Sequence, residues 1–474
     1  MNILCETQSI CPICHEPLIA AYVVDGGKVF MRKTCAEHGD FESYIADSEQ
    51  DFTKWTAHAV VNVPPKQALT HGVTTSAGES DGLGSQCPLH CGTCENHLQT
   101  ACCVLIDVTQ RCNQHCPYCF AQAEDSDACE PDLAEIERKY DLLLELGEAR
   151  PFNIQLSGGE PTVREDLPEI IRMGADKGFE YIQINTNGKR LAQQDGYAQI
   201  LKKAGATVIF MQFDGLDDEI YEVLRGEPLF AIKKKAIENC KQAGLPVTLV
   251  PTIVKNVNLE HVGQMIEFLL ENIDVVKGIH FQPVSFFGRH PDKPVEVGGK
   301  WADFENRVTM FDVMHAIEKQ TAGKFKYDDL CPITTGHPLC CFYGTYRKQK
   351  DGSVKSLISD ATKASGVSCC DTATPLEIIK KDRNYVLNKW DLPKQENCCC
   401  GEAAPAESSC CEPGIMSFDE FLQEIKSNMF TVSAMAFQDI SNLDAERLKR
   451  CRVQVLSADD RLIPFCAYNS IYRD

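Results

Sequence analysis

The sequence has little of what a membrane-spanning, secreted or nucleic-acid-binding protein requires. Its longest apolar runs, such as 104–106 and 206–213, are far shorter than the roughly 20 residues that cross a bilayer. The first residues turn polar and cysteine-rich at once, whereas a secretory leader has a basic start followed by an apolar stretch. The net charge of -21 repels phosphates at long range. We therefore expect a cytoplasmic protein without a transmembrane segment or a nucleic acid partner.

Cysteine, in contrast, is abundant, with 26 among 474 residues. Cytosolic thiols are kept reduced, so clustered cysteines in such a chain indicate metal binding rather than disulfides. The chain is also longer than one hydrophobic core usually organises, which predicts a main domain with smaller attachments. The cysteines are therefore the main guide to function.

Between residues 103 and 290, short β-rich runs alternate with amphipathic stretches, which is typical of βα units around a parallel sheet. Helical candidates such as 133–146 and 258–272 have apolar residues spaced by three and four. The six predicted strands are CVLIDV, FNIQLS, EYIQIN, TVIFMQF, PVTLVPT and GIHFQPV. Six units are two fewer than a closed eight-stranded barrel has. The predicted fold is therefore α/β, a partial (β/α)6 barrel.

A cysteine triplet, Cys112-x3-Cys116-x2-Cys119, follows the first predicted strand, where such barrels carry their reactive groups. Three thiolates leave one iron of a 4Fe–4S cluster without a protein ligand, which opens a site for a cofactor. A structural zinc site needs four ligands, and this motif supplies them only if His115 turns inward. The triplet therefore predicts a catalytic cluster.

The segment SGGEP, residues 157–161, follows the second predicted strand. Glycines let the backbone approach a ligand closely, and a carboxylate can accept hydrogen bonds from an ammonium group. Alone, the segment would be a turn. One βα unit after the cysteine triplet, it resembles the corresponding segment of the radical S-adenosylmethionine (SAM) superfamily. That resemblance implies that Gly158, Gly159 and Glu160 bind the SAM amino group.

Polar residues also end the third and fourth predicted strands. By the same resemblance, Asn185, Thr186 and Asp214 would contact SAM or substrate. Asn-Gly and Asp-Gly are equally typical of ordinary turns. Both interpretations stay open for these residues.

A second triplet, Cys87-x3-Cys91-x2-Cys94, repeats the spacing but follows a Gly/Ser/Thr-rich linker and begins no βα unit. Cys102 could supply a fourth thiolate, which predicts a saturated auxiliary cluster. Cys103 begins a strand and is expected to point into the core.

The N-terminal region has the paired spacing of a tetrahedral zinc or single-iron site. The predicted ligands are Cys11, Cys14, Cys35 and His38, with Cys5 as an alternative to the histidine.

Six segments occur in order across nearly the whole chain: CPxCHEP, TCAEHG, QCPLHCGTCENH, DVTQRCNQHCPYCFA, GGEPT and IPFCAYN. Together they resemble the family that contains tetraether lipid synthase, also described as a dihydro-hydroxymethylpterin methyltransferase. The resemblance implies a SAM-binding 4Fe–4S cluster, one or two auxiliary 4Fe–4S clusters, and a reductase or ferredoxin as electron donor. It also implies that a second auxiliary cluster is held by Cys331, Cys340, Cys451 and Cys466. Cys451 and Cys466 could otherwise be core cysteines of a terminal hairpin.

The predicted parts are a metal-binding knuckle, a linker with the first auxiliary segment, the barrel, and a C-terminal iron–sulfur cap: 1–65, 66–102, 103–290 and 291–474. Cys341, the pair at 369–370 and the low-complexity run 398–411 depart from the family pattern. We interpret the run as an insertion that forms no packed core.

Three functions compete at this point. The first is radical carbon–carbon bond formation or methyl transfer on a lipid or pterin-like small molecule. The negative charge does not exclude a lipid, because burying alkyl chains needs no basic patch. The second is peptide modification by a radical SAM maturase with auxiliary clusters. The third is a non-enzymatic electron carrier, which would not need the GGE segment.

Overall fold

The computed structural model describes residues 2–65, 87–89, 91–92, 94, 96–123, 130–147, 152–291, 295–297, 300–302, 307–358 and 427–473. The cysteine pair at 369–370, the run 398–411 and nearly all of the linker lie outside the described residues. The predictions made for these segments therefore stay predictions.

The described part of the chain is a mixed α/β structure. The strands are β1 (Asn2–Ile10), β2 (Pro17–Asp25), β3 (Lys28–Cys35), β4 (Gly39–Ala46), β5 (Cys103–Thr109), β6 (Asn153–Gly158), β7 (Ile182–Thr186), β8 (Val208–Gln212), β9 (Val247–Val250), β10 (Thr252–Ile253), β11 (Val276–Pro283), β12 (Val295–Val297), β13 (Lys300–Ala302), β14 (Cys331–Pro332), β15 (Cys341–Lys348), β16 (Val354–Ser356), β17 (Met429–Met435), β18 (Val453–Leu456) and β19 (Leu462–Pro464). The α-helices are α1 (Glu49–Thr56), α2 (Leu133–Leu146), α3 (Leu167–Asp176), α4 (Lys189–Gln193), α5 (Tyr197–Ala204), α6 (Asp218–Arg225), α7 (Phe230–Ala243), α8 (Val262–Glu271), α9 (Met310–Gln320), α10 (Ala445–Lys449) and α11 (Phe465–Ala467). Short 3-10 turns lie at Pro161–Val163, Leu259–His261, Tyr327–Asp329 and Pro338–Cys340, and a π turn at Tyr468–Tyr472.

All six predicted strands are present and pair in parallel in the order β5-β6-β7-β8-β9-β11. Their side chains are mostly buried, because helices cover one face and the barrel interior is packed on the other. The helix predicted at 133–146 is α2, which the Asp132 side chain caps by accepting from the Glu135 N–H. The prediction of a partial (β/α)6 barrel is confirmed.

The C-terminal part adds strands to both edges of this sheet. At one edge, β17 pairs in parallel with β11, and β15 pairs antiparallel with β17. At the other edge, β18 pairs in parallel with β5, and β19 folds back on β18. Consequently the residues that flank β18 and β19, including Cys451 and Cys466, lie beside the first barrel strand.

The N-terminal sheet is an antiparallel meander of β1 to β4, which β13 and β12 extend. Its tightest turn uses Gly26 and Gly27 at φ of 59° and 82°, a region that favours glycine. Helix α1 then packs Phe52 and Trp55 into the main core. The Trp55 indole N–H donates to the Pro338 carbonyl over 2.8 Å, which joins the N-terminal sheet to the C-terminal part.

No helix among the described residues is long and apolar enough to cross a membrane.

Candidate active site

A cavity of about 340 Å³ opens at the carboxyl ends of the barrel strands. It is lined by the cysteine triplet, the GGE segment and the residues that end β7, which places these sequence motifs in one site. The lining residues from these motifs are Cys112, Cys116, Cys119, Gly158, Gly159, Glu160, Asn185 and Thr186. Such a position is where α/β barrels assemble catalytic groups.

The triplet loop is fixed by backbone bonds to the loop after β11. The Cys119 N–H donates to the Arg289 carbonyl, and the Arg289 N–H donates to the Cys119 carbonyl, both over 2.8 Å. Burial raises the pKa of Cys112 to about 12, and the Glu160 charge adds to this. Burial thus disfavours the Cys112 thiolate. Because a cluster binds thiolates, metal binding would compensate for this cost. The three residues therefore fit a 4Fe–4S cluster with one open iron.

The two glycines of the GGE segment allow close packing of backbone against backbone. A Cβ on Gly158 would lie 2.0 Å from the Thr109 carbonyl oxygen, and one on Gly159 would lie 2.2 Å from that of Arg111. The Gly159 N–H donates to the Thr109 carbonyl over 2.8 Å. The segment is thereby anchored to the chain that leads into the triplet. This packing requirement was not evident from the sequence.

The Glu160 carboxylate joins two loops. It is 2% exposed and accepts hydrogen bonds from the Thr162 N–H at 3.0 Å, the Thr162 hydroxyl at 2.5 Å, the Thr186 hydroxyl at 2.6 Å and the Asn187 N–H at 2.6 Å. These bonds hold the end of β7 against the GGE segment. Thr186, a predicted cofactor contact, thus also anchors this carboxylate.

Asp214 is fully buried and is engaged by Arg225. The guanidinium makes two bonds of 2.8 Å to the two carboxylate oxygens, and the Thr252 N–H donates to one of them over 3.0 Å. Burial opposes the charge of Arg225, but Asp214 and then Cys116 hold its pKa above the ordinary value. Asp214 therefore acts in this structure by holding a cation beside the triplet.

Asn185 belongs to a row of amides on the barrel interior. The Tyr181 hydroxyl donates to Gln183 Oε1 at 3.1 Å, Gln183 Nε2 donates to Asn185 Oδ1 at 2.7 Å, and Asn185 Nδ2 donates to Gln155 Oε1 at 3.3 Å. Gln155 and Asn185 line the cavity, as does Gln282 from β11. The cavity wall therefore offers several amide donors and acceptors.

Four phenylalanines form an aromatic rim at the same cavity. The Phe465 ring lies 4.4 Å from that of Phe437, 5.7 Å from that of Phe120 and 6.1 Å from that of Phe287, measured between centroids. Phe465 comes from the C-terminal part, and Phe120 follows the last cysteine of the triplet. Flat apolar rings and amide side chains thus line the same cavity.

Lys233 supports two residues of the cavity wall, Asn187 and Gln212, and was not identified from the sequence. It is fully buried on α7, and its Nζ donates to the Asn187 carbonyl over 2.6 Å and to Gln212 Oε1 over 2.9 Å. Burial lowers its pKa to about 8. The available signal was its place on the apolar face of α7, which it shares with Ala236 and Ile237.

The N-terminal ligand set comes together as a compact group. The ligand atoms of Cys11, Cys14, Cys35 and His38 all lie within 4.8 Å of one another. The Cys14 and Cys35 sulfurs are 3.8 Å apart, a separation that suits one tetrahedral ion with bonds of about 2.0 to 2.3 Å. The residues present fit a single zinc or iron ion, and Cys5 lies on β1 outside the group.

The second triplet lies near the C-terminal part of the chain, and Cys102 as its fourth ligand stays a prediction. A bond to Cys87 and burial raise the pKa of Cys91 well above its usual value, and the nearby Cys94 and Cys451 thiols raise it further. His97, three residues after Cys94, has its Nε2 2.9 Å from the Cys451 carbonyl, so Cys451 lies near this triplet. Burial and then Cys340 raise the pKa of Cys341, and Cys102 adds to this.

Three of the four predicted C-terminal ligands lie together. Burial raises the pKa of Cys466 to about 12, with a further contribution from Cys340. Burial followed by Cys466 and Cys340 raises that of Cys451. Cys331 lies on β14 opposite Tyr343, where it is paired with β15. We refer to Cys340, Cys451 and Cys466 as the C-terminal trio.

Comparisons with known proteins agree with this architecture. Residues 106–269 match the radical SAM superfamily, and residues 3–47 match the HMPTM N-terminal zinc ribbon domain. The chain is 33% identical over 510 residues to the 7,8-dihydro-6-hydroxymethylpterin dimethyltransferase of Methanocaldococcus jannaschii, covering 99% of this chain and 94% of that protein. A probable GTP 3',8-cyclase of Methanothermobacter thermautotrophicus is 34% identical over 167 residues, 35% of this chain and 53% of that protein. Streptococcus suis SuiB bound to S-adenosylmethionine aligns at a TM-score of 0.37 and 18% identity over 48% of each chain.

The parallel barrel, the triplet after its first strand and the GGE segment after its second define a radical SAM enzyme. Within that superfamily, the chain belongs to the family of the Methanocaldococcus jannaschii pterin dimethyltransferase, which it matches over nearly its full length. In such enzymes the cluster reductively cleaves SAM to methionine and a 5'-deoxyadenosyl radical, which abstracts hydrogen from an unactivated carbon. The protein positions SAM against substrate and excludes competing reactions.

Proposed function

We propose that this enzyme transfers a methyl group to a reduced pterin such as 7,8-dihydro-6-hydroxymethylpterin. The observation that carries the proposal is the pairing of amides with an aromatic rim in one cavity. A pterin is a flat ring whose edge alternates hydrogen-bond donors and acceptors, so its edge suits the amides and its faces suit phenylalanine rings. The full-length similarity to a pterin dimethyltransferase supports the same substrate class.

A lipid chain suits this cavity less well. An alkyl chain packed against Gln155, Asn185 and Gln282 would remove water from their amides without replacing its hydrogen bonds. Each buried polar group left unsatisfied costs about 1 to 3 kcal/mol. The cavity chemistry therefore favours the pterin over the lipid.

The test is anaerobic turnover of the reconstituted enzyme with the reduced pterin, SAM and a low-potential reductant, followed by mass spectrometry. We expect 5'-deoxyadenosine together with a pterin that has gained one or two methyl groups. SAM is the methyl source in this assay, so S-adenosylhomocysteine should form beside the methylated pterin, and SAM labelled in its methyl group checks the origin of the added carbon. Unchanged pterin in an assay that forms 5'-deoxyadenosine would contradict the proposal.

Replacing Gln155 by leucine is expected to raise the KM for the pterin about tenfold, because one amide contact of the ring edge is lost and the Asn185 Nδ2 donor loses its acceptor. SAM affinity should stay at the parental value, since Gln155 belongs to β6 before the GGE segment. Gln242→Leu on the outer face of α7 is the matched control. An unchanged KM would remove Gln155 from the substrate site.

We further propose that Cys87, Cys91 and Cys94 hold one auxiliary 4Fe–4S cluster and that the C-terminal trio contributes to a second. Cys451 lies where the two groups meet. The thiol-rich site supports the proposal that a reductase or ferredoxin delivers the electrons in a reducing compartment such as the cytoplasm.

Replacing Cys466 by alanine is expected to lower iron and sulfide by about one cubane's worth. SAM binding should persist, because the triplet of the first barrel strand is untouched, while SAM cleavage should become uncoupled from product formation. Metal analysis of anaerobically purified protein measures the first effect. Cys240→Ala, at a fully buried position on α7, is the control. Unchanged iron and sulfide would show that Cys466 is a core cysteine.

A further inference from the structure

One buried carboxylate of the C-terminal part, Asp444, is bonded to the inner face of the N-terminal sheet. The Thr7 hydroxyl donates to Asp444 Oδ1 and the Tyr22 hydroxyl donates to Asp444 Oδ2, both over 2.6 Å. Asp444 is 2% exposed, so water competes little for these bonds. Hydrogen bonds to an ionised acceptor are roughly twice as strong as neutral ones. The sheet is therefore tied to this carboxylate.

We refer to strands β1 to β4 with Cys11, Cys14, Cys35 and His38 as the ribbon, and to these four residues as its metal group. Other contacts link this metal group to the same region. The Ser9 hydroxyl donates to the Leu443 carbonyl over 2.6 Å. Ile10 immediately precedes the metal-group residue Cys11, and its side chain is fully buried in an apolar cluster that includes Cys466. The end of β1 thus adjoins the metal group and packs in the apolar cluster that contains Cys466.

On its other side, Asp444 organises the segment that carries the trio. Its carboxylate accepts from the Glu446 N–H over 2.8 Å and so caps α10, and its own N–H donates to Gln438 Oε1 over 2.8 Å. The Gln438 N–H in turn lies 3.3 Å from the Cys466 sulfur. Cys451 follows α10, and its N–H is bonded to the last turn of that helix over 3.0 Å.

Arg447 on α10 connects the helix that Asp444 caps to Cys340, the third member of the trio. The guanidinium donates to the Ala436 carbonyl over 2.7 Å, and the Ala436 N–H donates to the Cys340 carbonyl over 2.8 Å. Burial opposes the charge of Arg447, but Cys340 and Tyr22 hold its pKa above the ordinary value. All three cysteines are thus positioned by elements that Asp444 orders.

Small metal domains commonly fold only when their ion is bound. Here the ion would fix the end of β3 at Cys35 and the residue after β1 at Cys11, and β1 carries two of the hydroxyls bonded to the C-terminal part. We propose that Asp444 is a positioning residue through which the metal-bound ribbon holds the C-terminal trio in place. The ribbon then stabilises a cysteine site that is distant from it in the sequence.

The test deletes the two hydroxyls but keeps the buried bulk, in the double variant Tyr22→Phe with Thr7→Val of the reconstituted full chain. The readout is the rate at which iodoacetamide alkylates each cysteine, followed by mass spectrometry. We expect Cys451 and Cys466 to react at least about tenfold faster, because two charge-assisted bonds are lost. The triplet of the first barrel strand should react at the parental rate.

Tyr44→Phe is the matched control, since this ribbon tyrosine faces Asp312 at 3.4 Å and not Asp444. Cys14→Ser, which removes one ribbon ligand, should accelerate alkylation of Cys451 and Cys466 as the double variant does. Parental rates in the double variant would overturn the role of Asp444, and parental rates in Cys14→Ser would overturn that of the metal. Alkylation requires no substrate, so either failure is distinct from failure of the pterin proposal.

Discussion

Replacing Cys116 by alanine is expected to abolish reductive cleavage of SAM. The triplet supplies three thiolates, and losing one leaves a second iron of the cubane without a protein ligand. Cys116 lines the cavity beside Cys112 and Cys119, so its replacement acts directly on the predicted cluster site. The measurement is 5'-deoxyadenosine formed by anaerobically reconstituted protein with SAM and reductant. We expect it to fall to the level of the cluster-free control.

Cys240→Ala provides the comparison for Cys116→Ala, because it removes a buried thiol from α7 away from the cavity. That variant should form 5'-deoxyadenosine at the parental rate. If Cys116→Ala also forms it at that rate, the reactive cluster is not at this triplet. The identical spacing of the second triplet would then make Cys87, Cys91 and Cys94 the next candidate.

Replacing Glu160 by glutamine is expected to weaken SAM binding about 10- to 100-fold while iron content stays intact. The substitution turns one carboxylate oxygen into an N–H donor that must face groups that themselves donate, such as the Asn187 and Thr162 N–H groups. A buried donor without an acceptor costs about 1 to 3 kcal/mol. If SAM binds only when the GGE segment and the end of β7 are held together, this cost lowers the affinity for SAM by up to about a hundredfold. Equilibrium binding of SAM measures the effect.

Glu165→Gln is the matched control, because this carboxylate is 86% exposed and pairs with Arg190. Its SAM affinity should equal the parental value. A Glu160→Gln protein with normal iron and normal SAM affinity would mean that the link between the GGE segment and the end of β7 is dispensable for the cofactor.

The barrel could be predicted because each strand is buried on both faces and reads as a short apolar run, as in CVLIDV and TVIFMQF. The strands at the sheet edges could not. β18 joins β5 although more than 300 residues separate them, and nothing local in RVQVLSADD specifies that partner. Local patterns report burial, whereas edge pairing depends on which surfaces remain open after the barrel has formed.

The same difference applies to the surroundings of the second triplet. The Cys102 N–H donates to the Arg452 carbonyl, so the C-terminal part reaches this region through a contact that no local pattern indicates. Lys233 and Arg225 were missed for a related reason. Each lies on the buried face of a helix, and only its partners in the loops that follow β7 and β8 make a buried cation acceptable.

The sequence by itself determined the chemistry of this protein. The spacing of Cys112, Cys116 and Cys119 is set within one loop, and each N-terminal pair, Cys11 with Cys14 and Cys35 with His38, is set within its own turn, so local spacing suffices to indicate metal binding. Only the tertiary structure decided which groups the Glu160 and Asp444 carboxylates bond. A buried carboxylate must be satisfied by whatever donors surround it, and here those donors come from loops and strands distant in the chain.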